Sequence, residues 1–121
     1  MNSVEEIKQW YKAEWYKVAH VEDFPRNGGV CIKLDNLQIA VFNFTSRDQW
    51  YACQNLCPHK MQMILSRGMI GDKNGIPKVA CPFHKKTFSL ETGENLDGED
   101  YKLTTFPVKV ENQHVYVGLP A

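Results

Sequence analysis

With 121 residues and 43% apolar side chains, the chain is long enough to bury one core without disulfide or metal staples, so a single domain is expected. Its 14 Lys and Arg balance 14 Asp and Glu, which argues against a basic nucleic-acid footprint and against an acidic solvating tail. The longest apolar runs fall far short of a membrane span.

The start Met1-Asn2-Ser3-Val4-Glu5-Glu6 has neither the basic region nor the apolar run of a secretory signal. A cytoplasmic location is expected, where cysteine pairs usually mean metal or redox chemistry rather than a disulfide framework. Ser3 and Glu6 form a capping box, and Val4, Ile7, Trp10 and Tyr11 recur at helical spacing. A short amphipathic helix over residues 4–12 follows, as an extension (1–14) of a domain spanning 15–121. From Trp15 the pattern changes. Residues 15–19 read as a strand, and Phe24-Pro25-Arg26-Asn27-Gly28-Gly29 as a turn. Residues 30–34 and 37–42 flank Asp35-Asn36, a two-residue hairpin signal. Residues 49–55 form the next strand. Further on, residues 64–72 and 77–80 flank Lys73-Asn74-Gly75, and Asn-Gly readily takes the positive φ angles of a tight turn. Residues 87–90 alternate as a strand that Thr92-Gly93-Glu94 turns. Finally, 106–110 and 114–117 pair around Glu111-Asn112-Gln113. Many short strands with turns at this spacing predict an all-β sandwich or barrel.

The chemistry concentrates in one stretch. Cys57-Pro58-His59 opens it and Cys81-Pro82-Phe83-His84 closes it, each supplying a soft thiolate and an imidazole. The hairpin at Asn74-Gly75 would bring the two ends together as loops of a small subdomain, about residues 55–92. Thiolate and neutral imidazole suit iron or zinc and do not suit magnesium or calcium. A structural zinc accepts a Cys2His2 set. The paired half-sites fit better a Rieske [2Fe-2S] centre, in which two Cys hold one iron and two His the other. A Cys3His site using Cys53 would strand one of the two histidines. His20 and His114 are expected to be ordinary hydrogen-bonded residues. Cys31 and Cys53, in strand patterns, are expected to be small buried hydrophobes.

These two boxes, followed by Phe88-x-Leu90-x-Thr92-Gly93, resemble the Rieske family. Residues 106–110 and 115–117 resemble the closing hairpin of Rieske-type ferredoxins. More narrowly, Ser66-Arg67-Gly68-Met69-Ile70, Lys85-Lys86 and Phe88-Ser89-Leu90 resemble the small subunit of assimilatory NAD(P)H nitrite reductase. Lys85 stands where Rieske proteins commonly carry Gly, and the long gap between the boxes points to the same subfamily. Neither loop carries the extra cysteine of the respiratory-complex proteins, so the likeness is to the ferredoxin-like branch.

The resemblance implies a [2Fe-2S] cluster held by Cys57, His59, Cys81 and His84, in an electron-transfer subunit without catalytic residues of its own. It implies a large partner subunit bearing flavin and sirohaem, docked against Lys60, Met61, Met63, Phe83, Lys85 and Lys86, although ordinary solvation explains the lysines equally well. A free ferredoxin serving an aromatic-ring dioxygenase is the alternative, and a zinc-stabilised module without redox chemistry is another. No nucleic-acid or membrane partner is expected.

Overall fold

A computed structural model describes residues 14–58, 61–83 and 86–119. The helix expected over residues 4–12 lies outside the described residues, while Glu14 already belongs to the first strand. Twelve strands are formed among the described residues, in four antiparallel sheets. No helix among them is long and apolar enough to cross a membrane.

Seven strands build a two-sheet base. One sheet has the order β1 (Glu14–His20), β12 (His114–Leu119), β11 (Val108–Glu111), and the other β10 (Thr105–Phe106), β4 (Gln49–Gln54), β3 (Leu37–Phe44), β2 (Gly28–Leu34). Strand β3 explains why three layers form. Ile39, Ala40, Val41 and Phe42 are all buried, so both faces of the strand are covered. Ile39 and Val41, with Ala52 of β4, pack toward Val115 and Val117 of β12. Ala40, Phe42 and Phe44, with Cys53 of β4, pack the opposite way, onto Leu65, Val79, Phe88, Leu90 and Leu103.

That second core carries the subdomain, which consists of β5 (Leu56–Cys57) paired with β6 (Gln62–Met63) and a sheet of β7 (Met69–Lys73), β8 (Ile76–Ala80) and β9 (Thr87–Ser89). Two-residue strands have no stability of their own. Burying Phe42, Phe44 and Phe88 contributes on the order of 5–9 kcal/mol before ordering costs, and so supplies what the short ladders lack. Arg47 adds a strut: its Nη1 donates to Asp72 Oδ1 at 2.5 Å and to the Gly75 carbonyl at 3.1 Å, tying the β7–β8 tip to the base.

Most expected strands are present, and the tight turns fall at Asp35-Asn36, Asn74-Gly75 and Asn112-Gln113. Asn74 and Gly75 take φ of 53° and 85°, as a hairpin turn matched to strand twist requires. Two expectations are corrected. Gly28 and Gly29, read as turn, lie in β2: a Cβ on Gly29 would sit 2.6 Å from the Phe42 ring, so glycine here makes room for core packing. Residues 64–72 are not one strand, because 65–67 form a single 3-10 turn before β7.

Candidate metal centre

The first box lies on the β5–β6 ribbon. Leu56 pairs with Met63 and Cys57 with Gln62, and Met61 N donates to the Cys57 carbonyl at 2.6 Å. Met61 takes φ of 55°, which lets the chain reverse within so short a loop. Pro58 follows Cys57 and has no N–H to satisfy. The second box is the β8–β9 connection. Cys81 N donates to the Lys86 carbonyl at 2.8 Å, and Ala80 pairs with Thr87.

Both cysteines are fully buried, and both belong to the core that includes Leu65, Phe88, Leu90 and Leu103. Apolar side chains close to them in the sequence are exposed: Met61 is 68% exposed, Met63 48% and Phe83 59%. Each loop thus buries its thiol and leaves large apolar side chains in solvent. His59 and His84, with Lys60 and Lys85, lie outside the described residues. Among the described residues no group of three or more His, Cys, Asp or Glu converges, so any site here needs more than the two cysteines. Two soft, sheltered thiols brought into one core from separate loops fit an iron–sulfur group.

The other candidates separate cleanly. Cys53 lies within strand β4 among Ala40, Phe42 and Phe44, and burial pushes its thiol up to about 12, so that without a metal it stays protonated. Cys31 is exposed on edge strand β2, not buried as expected; Ile32 and Leu34 carry the inward face. His20 Nδ1 accepts from Glu22 N at 3.1 Å, and His114 Nδ1 pairs with the Asn112 carbonyl at 3.0 Å, both on the opposite sheet. Lys86, read as part of a docking face or as simply solvated, is neither alone: its Nζ pairs with Glu99 at 2.8 Å.

Two residues that sequence reasoning passed over hold the loops. Asn55 is 2% exposed and bonded on both amide atoms. Asp97 Oδ2 accepts from Thr87 N at 2.7 Å and Thr87 Oγ1 at 3.1 Å, and the backbone amide is the main reason its carboxyl is held below the usual range. Neither stands in a recognisable motif. The only sequence signal was position, Asn55 two residues before a candidate ligand and Asp97 in a polar turn.

A sequence model of the Rieske-like [2Fe-2S] domain matches residues 14–118. The large subunit of NAD(P)H nitrite reductase from Klebsiella oxytoca is 38% identical over 86% of this chain, which spans 11% of that protein's length. The nitrite reductase (NADH) small subunit of Escherichia coli K12 is 29% identical, over 83% of this chain and 93% of its own. The NMR structure of the E. coli protein NirD matches with a TM-score of 0.80 and 28% identity, covering 90% of this chain and 99% of that one. A 3-phenylpropionate/cinnamic acid dioxygenase ferredoxin subunit from Shigella boydii is 34% identical over 83% of this chain and 89% of its own.

Proposed function

Because the chain belongs to the Rieske-like [2Fe-2S] domain family, we propose that it is the electron-transfer small subunit of a cytoplasmic NAD(P)H-dependent nitrite reductase. Cys57 and Cys81 would hold one iron, and His59 and His84 the other. A cluster bound there supplies one-electron transfer, at a potential that imidazole ligation raises into a range of about −150 to +300 mV.

The chain's own part is to bind, shelter and present. Phe88, Leu90 and Leu103 keep water from the cysteine side of the site. Met61, Met63 and Phe83 are the exposed apolar side chains against which a partner closes. Lys86 is committed to Glu99, so charge steering falls to Lys60 and Lys85. The observation that carries the reading is the pair of fully buried cysteines, one from each loop, in a single core. The partner is a large subunit bearing flavin and sirohaem. The Klebsiella relative supports a nitrite reductase large subunit as the partner, because a segment similar to this chain is there part of the large subunit itself.

The test mixes the purified chain with the large subunit and reduced pyridine nucleotide. Nitrite-dependent oxidation that requires this chain is expected; the same rate without it refutes the assignment. The likeness to a dioxygenase ferredoxin subunit favours one other reading, in which the chain feeds an aromatic-ring oxygenase. In that case oxygenase turnover, not nitrite reduction, depends on the chain.

A further inference from the structure

Asn55 stands between β4 and β5, two residues before Cys57. Asparagine at a strand end is ordinarily a solvated turn former, but this one is 2% exposed. Its Nδ2 donates to Gln38 Oε1 at 3.2 Å and to Cys31 Sγ at 3.5 Å, and its Oδ1 accepts from Ser66 N at 2.7 Å. Its backbone carbonyl accepts from both Ile64 N and Leu65 N at 3.0 Å, and its own N–H donates to the Gln38 carbonyl at 3.0 Å. One residue therefore joins β2, β3 and the segment that returns from the first box. Leu65, the middle residue of Ile64–Ser66, is fully buried in the same core cluster as Cys57 and Cys81. Gln54 braces the approach: its Nε2 donates to the Leu56 carbonyl at 2.7 Å while its Oε1 accepts from Thr104 N.

We propose that Asn55 is a positioning residue for the first ligand loop, its amide and carbonyl clamping Ile64–Ser66 so that Cys57 is set before any cluster enters. This rests on Cys57 being a ligand. The clamp adds to the two-residue β5–β6 ladder at the base of this loop. Contacts that orient a metal ligand commonly change metal affinity by about 10–100-fold, and this clamp acts on Cys57 through the loop that carries it.

The experiment compares Asn55→Ala with Asn55→Asp, which retains an oxygen for Ser66 N, in the full chain. Amide exchange is followed at Ser66 and across β3 and β4, and iron loss to a chelator and the EPR spectrum of the reduced cluster are recorded. Asn55→Ala is expected to lose protection at Ser66 but not in β3 and β4, to release iron about 10–100-fold faster and to shift the EPR signal. Asn55→Asp is expected to restore the protection and slow the release. Iron release and EPR unchanged in Asn55→Ala overturn the proposal, and so does protection lost equally from β3 and β4, which would mark a general folding role. If the wild type takes up no cluster, the ligand reading fails; Ser66 protection lost in Asn55→Ala and kept in Asn55→Asp still upholds the clamp, and unchanged protection overturns it.

Discussion

Gly68→Ala is expected to push the two ligand loops apart while leaving the domain folded. Gly68 ends the 3-10 turn after the first box, with an ordinary φ of −71°, so backbone conformation is no obstacle to alanine. Space is the obstacle. A Cβ there would lie 2.4 Å from the Ala80 carbonyl oxygen, 2.8 Å from Val79 Cγ2 and 3.0 Å from the Leu65 carbonyl. Ordinary contact begins at 3.4 Å, so the Ala80 carbonyl must retreat by about 1 Å. Ala80 directly precedes Cys81, and metal–ligand distances tolerate only about 0.2 Å. Overpacking of this kind costs about 1–3 kcal/mol, which for a domain of this size lowers Tm by about 4–12 °C. Iron per folded chain and thermal melts are the assays, with Gly71→Ala as control because its Cβ would meet only Lys78 Cε, at 3.7 Å. Gly68→Ala should melt earlier and retain about tenfold less iron in the presence of a chelator. If it matches Gly71→Ala in both, the packing argument is wrong.

The Asp97 carboxyl is held low in the folded state by Thr87, so its contribution to stability is present above the unfolded value near about 3.9 and is lost as pH falls through the folded one. Asp97→Asn should therefore be less stable than wild type at neutral pH, with the gap closing below about pH 4; parallel stability profiles would count against the Thr87 contact. Cys53 is fully buried in the core, so Cys53→Ser should lower stability by about 1–3 kcal/mol through a buried hydroxyl and leave the cluster absorbance intact. A colourless Cys53→Ser would place that thiol at the metal. Cys31→Ser, on an exposed edge and with a hydroxyl oxygen that can still accept from Asn55 Nδ2, should change neither stability nor colour.

What could be read from the sequence was local. Asn74-Gly75 and Asp35-Asn36 announce their turns because few residues tolerate positive φ, and β3 announces its burial through an unbroken apolar run. What could not be read was partner choice over long distances. Nothing in residues 14–20 points to β12, and nothing in Phe106 distinguishes pairing with Ala52 of β4 from continuing into β11. Cys31 was misplaced for a related reason: alternation says that neighbouring residues face opposite ways, not which face is the core. At the site, Cys57 and Cys81 stood out because each is followed by Pro and then, within three residues, by His. Asn55 and Asp97 did not, because a clamp is defined by what folds back onto it. The pairing of Lys86 with Glu99 likewise depends on a turn that only the fold brings near.

Metal and sulfide analysis of anaerobically purified chain tests the central claim most directly. A coloured protein with about two irons and two acid-labile sulfides per chain is expected, with the colour lost in Cys57→Ser and in Cys81→Ser. A colourless wild type carrying one zinc, or colour that survives both substitutions, would contradict it.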